Sequence, residues 1–256
     1  MALTTHSSLL SSIDPYPVEV VKAQSKAPVL LLCEHAGNAI PQSLGNLGLD
    51  KEALLSHRGW DIGARALAYC IAERLGAPLI LQRYSRLVID GNRPPGSSDS
   101  ILENSDGLAI AANKNLSLLE QEARLNAIFV PMDRAINEVF ASSPRKAAFS
   151  IHSFTPVLDG YTRPWNAGFL TRKSKSTAQA LIDSICRQRF DLKLAINEPY
   201  TIDDQTDWFI PVHAERRELP HCLIEVRNDQ IADEVGVEIW AKLLGDALSD
   251  FMKSLS

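Results

Sequence analysis

Residues 29–33 form an uninterrupted apolar run that constrains the fold more than any other segment. The run reads Val-Leu-Leu-Leu-Cys, follows Pro28, and stops at Glu34 and His35. An apolar run of this length is typical of a strand that is covered on both faces. Such strands occur in sheets that carry helices on both sides. The run therefore favours an α/β fold.

Strand and helix patterns alternate along the rest of the chain. Apolar residues at helical spacing predict helices over residues 61–75, 117–140, 174–190 and 231–255, and Pro131 is expected to kink the second of them. Further strands are predicted over residues 18–21, 78–84, 86–90, 147–151, 167–170, 193–196 and 222–226. Residues 197–219 read as irregular and polar. This order predicts a three-layer α/β sandwich around a mixed, largely parallel sheet, in one domain over residues 1–256 with an N-terminal arm over 1–27.

Composition excludes several classes of function. The formal net charge is −5 and no basic tract stands out, so we expect neither a nucleic-acid partner nor an anionic membrane surface. No run of eighteen apolar residues occurs, and the first fourteen residues lack the features of a signal peptide. The four cysteines, Cys33, Cys70, Cys186 and Cys222, form no C-x-x-C pair, which favours reduced thiols. We expect a cytoplasmic protein.

Polar residues that could catalyse a reaction or bind a ligand lie at or near the ends of the predicted strands. His35 follows residues 29–33, Asn92 and Arg93 follow residues 86–90, His152 follows residues 147–151, and Glu225 lies within residues 222–226. In open α/β sheets, ligands bind outside the carboxyl ends of the strands. We therefore expect these side chains to converge at one edge of the sheet.

Two of these residues are candidate metal ligands. Two histidines and one carboxylate are the minimum set for a catalytic zinc site that keeps a position open for water. We take His35 and His152 as the ligand candidates, while a pair of ordinary loop histidines remains the alternative. His57, His213 and His221 are weaker candidates, and His6 lies in the arm. His213 and His221 are interpreted either as groups around the ligands or as loop residues.

Arg86, Asn92 and Arg93 are interpreted as a clamp for an anion, because guanidinium binds carboxylate through two hydrogen bonds. Surface salt bridges beside a turn are the alternative. Glu225 is more informative, because a glutamate within an apolar strand is costly unless it is paired or functional. Arg227 on the same strand is its alternative partner.

Several known signatures are absent from the sequence. It contains no G-x-S-x-G nucleophile elbow, no G-x-G-x-x-G, no phosphate loop and no H-E-x-x-H. A common α/β serine hydrolase and a nucleotide-dependent enzyme are therefore disfavoured.

Six strings carry a resemblance to a known family. They are CEHAGNAIP (33–41), GWDIGARALA (59–68), YSRLVIDGNRP (84–94), SIHSFTP (150–156), NEPY (197–200) and LPHCLIEVRND (219–229). In this order they resemble the N-formylglutamate amidohydrolase family, over residues 29–244 or so. The resemblance implies a fold related to that of zinc carboxypeptidases and aspartoacylase, with one zinc ion in each chain.

The resemblance also implies the ligands of that zinc ion. In these relatives the first histidine and a nearby acid form H-x-x-E, and a later histidine completes the set. Here Asn38 stands three residues after His35, so the acid must come from elsewhere. Asp61 is the preferred substitute, Glu34 and Asn38 are the alternatives, and the later histidine corresponds to His152.

The remaining roles follow from the same resemblance. It implies that Glu225 is the general base and that Arg86 helps to polarise the scissile carbonyl. Asn92 and Arg93 would hold the substrate carboxylate, and Arg163 is a candidate for a second carboxylate. The leading substrate is a small anionic N-acyl amino acid, N-formyl-L-glutamate. Hydrolysis of another N-acyl amino acid or a small peptide, or a metal-free binding module, are the alternatives, and the oligomeric state is left open.

Overall fold

The structure is a computed structural model that describes residues 8–255; His6 and the first residues of the predicted arm lie outside that range. Seven strands form the central sheet: β1 (Val18–Val21), β2 (Val29–Cys33), β3 (Leu79–Gln82), β4 (Ala147–Phe154), β5 (Ala167–Leu170), β6 (Leu194–Ile196) and β7 (His221–Arg227). Their order is β1-β3-β2-β4-β7-β5-β6. Strands β3, β2, β4 and β7 run parallel, β1 and β5 are antiparallel to their neighbours β3 and β7, and β6 runs parallel to β5. The predicted mixed, largely parallel sheet is confirmed.

Helices cover both faces of this sheet. They are α1 (Lys51–Leu55), α2 (Ala64–Leu75), α3 (Leu118–Arg124), α4 (Val130–Ser142), α5 (Lys175–Gln188) and α6 (Glu234–Ser254). The apolar residues of α2, α5 and α6 join one core against the sheet, and those of α4 join a second core on the other face. Among the described residues, no helix is both long and apolar enough to span a bilayer.

Strand β2 shows why its apolar run is uninterrupted. Leu31 and Cys33 point into the core shared with α2 and α6, whereas Leu30 and Leu32 point into the core shared with α4. All of these side chains are fully buried. Alternate residues of a strand point to opposite faces, so a strand between two helical layers must be apolar at every position.

The long helix predicted over residues 117–140 is divided into three segments. Ser117 and Glu120 form a capping box that starts α3. Residues Leu125–Phe129 then form a π-helical turn, and α4 follows with Pro131 in its first turn. Proline has no N–H to donate within a helix, and the helix changes type just before Pro131. The kink at Pro131 stays a prediction.

Two local predictions are wrong. Residues 86–90 form a turn instead of a strand, in which the amide of Val88 donates to the Ser85 carbonyl over 2.9 Å. The segment predicted to be irregular contains the π-helical turn Phe209–Ala214, whose first residues are buried. In both places short apolar stretches are buried without regular strand pairing, which periodicity alone does not reveal.

A buried arginine fixes the turn at residues 86–90. Nη1 of Arg124 donates to the Val88 carbonyl over 3.0 Å and to Oδ1 of Asn113 over 2.7 Å, and Nη2 donates to the Ala112 carbonyl over 2.9 Å. Nδ2 of Asn113 in turn donates to the Leu87 carbonyl over 2.9 Å. Helix α3 therefore holds the segment that carries Arg86 to Arg93.

We expect Arg124→Ala to lower the free energy of unfolding by about 3 kcal/mol, because it leaves several buried oxygen acceptors without a donor. Urea unfolding followed by circular dichroism measures the change. Arg134→Ala is the matched control, since Arg134 is exposed on α4, and it should change stability by less than about 0.5 kcal/mol. Equal stability of the two variants would show that Arg124 does not hold the turn.

Candidate active site

The parallel strands deliver their polar residues to one edge of the sheet. His35 follows β2, while His152 and Glu225 lie near the carboxyl ends of β4 and β7. Glu225 and His152 are register partners on these neighbouring strands. The convergence predicted from the sequence is therefore confirmed for this edge.

A cavity of about 1050 Å³ opens at this edge. Its wall contains the eight residues that the sequence analysis assigned to the metal, to catalysis or to substrate binding, namely His35, Asp61, Arg86, Asn92, Arg93, His152, Arg163 and Glu225. Asn38 is not among the residues that line it. A volume of this order is typical of a small-molecule site.

His35, Asp61 and His152 form a compact buried cluster. Their potential ligand atoms all lie within 4.8 Å of one another. Oδ2 of Asp61 is 3.4 Å from Nδ1 of His35 and 2.8 Å from Nδ1 of His152. Among the described residues, Nδ1 of His35 and Oδ1 of Asp61 have no hydrogen-bond partner. Three potential ligand atoms are thus close enough to bind one ion, and two of them belong to the histidines that the sequence predicted as ligands.

The backbone explains how Asp61 reaches this position. Asp61 precedes α2 rather than lying within it, and its amide donates to the His35 carbonyl over 3.0 Å. Gly63 caps α2 with a φ of 83°, and a side chain at this position would collide with the Ile231 carbonyl. The turn before α2 therefore needs a glycine to bring Asp61 against the end of β2.

Two further carboxylates orient the histidine rings. Nε2 of His35 lies 2.7 Å from Oδ1 of Asp90, and Nε2 of His152 lies 3.0 Å from Oε2 of Glu34. An ionised carboxylate only accepts, so each Nε2 donates, and Nδ1 faces Asp61. Metal-binding histidines are usually held by such an outer acceptor. Glu34, an alternative ligand in the sequence analysis, is placed behind His152, where Ser150 also donates to it.

The net charge of the side chains in and around the cluster favours the binding of a cation. Glu34, Asp61 and Asp90 are buried and Arg86 supplies one positive charge, so the cluster carries two negative charges if both imidazoles are neutral. Burial lowers the pKa of His152, but Glu34 and Asp61 outweigh this effect and hold it well above its ordinary value. Uncompensated buried charge is costly, and a divalent cation would neutralise it. The residues present are therefore compatible with a metal ion.

Arg86 is held between two of these acids. Its Nη2 donates to Oδ2 of Asp90 over 2.9 Å, and its Nη1 lies 3.6 Å from Oδ1 of Asp61. Burial raises the pKa of Asp90, but the charges of Arg86 and His35 outweigh burial and hold this pKa well below its ordinary value. The Asp90 carboxyl therefore stays ionised. Asp90 therefore links His35 to Arg86.

Among the described residues, Glu225 is not paired with Arg227, the alternative partner that the sequence left open. Arg227 instead pairs with Asp229 at 2.7 Å and donates to the carbonyls of Arg163 and Trp165. Glu225 is buried, and its Oε2 has no hydrogen-bond partner among the described residues. Burial raises the pKa of Glu225 to about 7, and the charge of Asp61 contributes to the rise. A carboxyl with this pKa can accept and return a proton near neutral pH.

Asn92 and Arg93, the two residues predicted to hold a carboxylate, differ in how many hydrogen-bond donors they keep for a ligand. Nδ2 of Asn92 donates to Oδ1 of Asp207 over 3.0 Å, and its Oδ1 accepts from the Trp208 amide over 3.2 Å. Arg93 donates one N–H to the Thr206 carbonyl, out of the five that a guanidinium carries. Both residues tie the segment around Asp207 to the cavity wall, and Arg93 retains more donors for a ligand.

Arg163 is tied to its surroundings more closely than Arg93. Its Nε donates to the Thr155 carbonyl over 2.6 Å, its Nη1 donates to the Tyr200 hydroxyl over 2.6 Å, and its Nη2 donates to Oγ1 of Thr155. The guanidinium also lies 5.1 Å from the centre of the Phe154 ring. Its assignment as a substrate ligand stays a prediction.

Comparison with known proteins identifies the family. Residues 27–232 match the model of the N-formylglutamate amidohydrolase family. The chain belongs to this family. The match includes all eight residues to which roles were given, so the family predicted from the six strings is confirmed.

Solved structures share the fold. The gene product Atu2144 from Agrobacterium tumefaciens is 36% identical with a TM-score of 0.87, covering 95% of this chain and 99% of that one. The N-formylglutamate amidohydrolase from Ralstonia eutropha JMP134 is 17% identical with a TM-score of 0.69, covering 94% and 100%. This second likeness shows the fold alone. No curated protein matches the sequence significantly.

Several residues lie at the cavity although the sequence predicted little or no role for them. Asp90 was quoted only as part of a string, and Asp207 and Tyr200 were given no role. His57 was a weak candidate, yet its Nε2 lies 3.9 Å from Oδ1 of Asp61 at the cavity. Asp90 ends the turn at residues 86–90 and follows no strand, so its place after a strand could not have marked it. Asp207 and Tyr200 reach the site only through the path of the chain after β6.

The other two weak candidates lie elsewhere. Nε2 of His213 is 2.7 Å from Oδ1 of Asp133, and its ring lies against Phe140 and Phe209. His221 lines a separate cavity and hydrogen-bonds the Leu219 carbonyl over 2.7 Å. Neither lines the cavity that holds Glu225, so the expectation that they surround the ligands is wrong.

Proposed function

We propose that the chain is a zinc-dependent amidohydrolase of N-acyl amino acids, with N-formyl-L-glutamate as the leading substrate. The observation that carries this proposal is the joint presence in one cavity of the His35–Asp61–His152 cluster and of Glu225, whose Oε2 has no hydrogen-bond partner among the described residues. Membership of the family supports the same reaction class.

Nδ1 of His35, Nδ1 of His152 and the Asp61 carboxylate would hold the zinc ion, because imidazole and carboxylate are ligands that suit zinc. When bound, zinc supplies a Lewis acid and lowers the pKa of water towards neutrality. The metal-free alternative depended on Asn38, which replaces the usual acid. Asp61 brings a carboxylate to the cluster from another part of the chain, and this favours the metal-dependent proposal.

Glu225 would move the proton that the reaction requires. It takes a proton from the attacking water, whose oxygen forms a bond to the formyl carbon. It then gives that proton to the nitrogen as the carbon–nitrogen bond breaks, and formate and glutamate leave. Arg86 lies beside the same cluster and would stabilise negative charge on the carbonyl oxygen.

Arg93 is the proposed ligand of the substrate carboxylate, and Asn92 holds the wall beside it. We expect Arg93→Ala to raise KM by roughly 10- to 100-fold with little change in kcat, the range for loss of a charged hydrogen bond. Arg93→Lys should recover only part of the loss, since an ammonium lacks the guanidinium fork. Steady-state kinetics on a substrate and its carboxamide analogue provide the measurement. The prediction fails if the alanine variant discriminates between the two as well as the parent protein does.

The size of the cavity supports a second candidate within the same reaction class. About 1050 Å³ is at the upper end of the range for sites that bind drug-sized ligands, and a formyl group is the smallest acyl group. Another N-acyl amino acid or a small peptide is therefore the alternative substrate.

A panel of amides tests the proposal. Zinc-loaded protein is incubated with N-formyl-L-glutamate, N-formyl-L-glutamine, N-acetyl-L-glutamate and N-formyl-L-methionine, and free amine is measured with and without a chelator. We expect the fastest release from N-formyl-L-glutamate and none after chelation. A preference for the acetyl substrate selects the second candidate, and no release from any of the four by zinc-loaded protein rejects the proposal.

We further propose that the chain acts in the cytoplasm on free small molecules. All four cysteines are free thiols, which is typical of a reducing compartment. Expression of a tagged chain followed by fractionation checks this location.

A further inference from the structure

Shortly after β6 the chain crosses over β5 beside Glu225. Gly168 of β5 is the register partner of Glu225. The Glu198 carbonyl packs directly on Gly168, and any side chain there would collide with it. The Asn197 amide donates to the Phe169 carbonyl over 3.1 Å, which fixes the crossing. Tyr200 follows immediately and lines the cavity that contains Glu225.

The hydroxyl of Tyr200 is held by a donor that cannot move far. Nη1 of Arg163 donates to it over 2.6 Å. Arg163 is itself 3% exposed and is anchored through Nε and Nη2 to Thr155. Tyr200 is 41% exposed and lines the cavity, and the Arg163 guanidinium lies 5.5 Å from the centre of its ring.

This contact determines what the hydroxyl can do. A phenol carries one hydrogen to donate, and its oxygen already accepts from Arg163. A hydroxyl that accepts from a cation becomes a stronger donor. Burial and the charge of Glu225 raise the pKa of Tyr200, so it retains its proton at neutral pH.

We infer that Tyr200 is a catalytic hydrogen-bond donor to the scissile carbonyl oxygen as that oxygen gains negative charge, and that Arg163 is the residue that positions it. This inference rests on the proposed function for the identity of the substrate. It gives Arg163 a role through Tyr200 instead of contact with a second substrate carboxylate.

Kinetics of Tyr200→Phe test the inference. Loss of one donor to the developing charge should lower kcat by roughly 10- to 100-fold with KM nearly unchanged. Tyr161→Phe is the matched control, because Tyr161 is 60% exposed on a short hairpin and is not among the residues that line the cavity. A raised KM with unchanged kcat would assign Tyr200 to ground-state binding and overturn the inference.

The positioning role of Arg163 needs a second variant. Arg163→Lys keeps the charge but loses the fixed fork that holds the phenol. If Arg163 acts through Tyr200, Arg163→Lys lowers kcat alone, and the double variant is no slower than Tyr200→Phe. Fully additive losses would overturn the positioning role, because they would show that Arg163 acts separately from the phenol.

A binding measurement separates this inference from the proposed substrate. Acetohydroxamate presents oxygen atoms to a zinc centre and requires no amino-acid recognition. Calorimetry on zinc-loaded protein should show affinity about tenfold weaker for Tyr200→Phe than for the parent protein or Tyr161→Phe. That result upholds the role of Tyr200 even if no N-acyl amino acid is cleaved, which would reject the proposed substrate alone. Equal affinity of all three proteins would overturn the role of Tyr200 even if N-formyl-L-glutamate is cleaved.

Discussion

Replacing Glu225 by glutamine is expected to lower kcat by about a hundredfold or more while the protein keeps its metal. Glutamine preserves the size of the side chain but cannot accept a proton. KM should change little, because the interaction is made mainly in the transition state. Stopped assays of amine release, with zinc measured by atomic absorption on the same samples, provide the test.

Asp159→Asn is the matched control for this variant. Asp159 also lines the cavity, but it lies at the turn of an exposed hairpin, so its neutralisation should leave kcat nearly unchanged. If Glu225→Gln retains full activity with zinc in place, the proton must be moved by another group. His213 cannot take over this role, because its ring lies against Asp133, outside the cavity. His57, which does line the cavity, becomes the next candidate.

Replacing Asp61 by alanine is expected to weaken zinc binding by more than a hundredfold. Removal of a direct ligand should exceed the 10- to 100-fold loss that is usual for a group that only supports a ligand. Glu34→Gln alters such a supporting group, because Glu34 holds Nε2 of His152. Asn38→Ala should have almost no effect, since Asn38 is not among the residues that line the cavity.

Competition with a fluorescent zinc chelator measures all three affinities. The expected order of loss is Asp61→Ala, then Glu34→Gln, then Asn38→Ala. Greater loss in Asn38→Ala than in Asp61→Ala would move the third ligand to position 38. Equal, negligible losses in all three variants would leave two protein ligands, which is too few for the proposed centre.

The sequence predicted the strands and helices whose buried residues recur at regular spacing. Strand β2 was evident because both of its faces are covered, and β5 was predicted with its observed bounds. The helix predicted over residues 61–75 ends at Leu75, as predicted, where Gly76 follows with a φ of 60°. These features depend on local pattern and local backbone conformation, which the sequence expresses directly.

The segment at residues 86–90 shows where periodicity misleads. Leu87, Val88 and Ile89 are buried, so their pattern resembles a strand. They form a turn because Arg124 and Asn113, which come later in the chain, supply the hydrogen bonds that a neighbouring strand would otherwise provide. Long-range partners of this kind cannot be read from a window of residues.

The residues of the candidate site likewise fall into those that local pattern predicts and those that long-range contacts place. His35, His152 and Glu225 were found because they stand where strands end or interrupt an apolar strand. Asp61 required the family resemblance, since its place depends on a turn held to the His35 carbonyl. Tyr200 went unrecognised because it reaches the cavity only through the crossing at Gly168.

Titration of metal-free protein with zinc, with amine release from N-formyl-L-glutamate measured at each addition, tests the central claim most directly. The claim is that His35, Asp61 and His152 hold one ion that the hydrolysis requires. We predict no activity before the first addition and a linear rise that ends at one zinc per chain. The same titration of His35→Ala should show no such break. Full activity in protein verified to contain no metal would contradict the account.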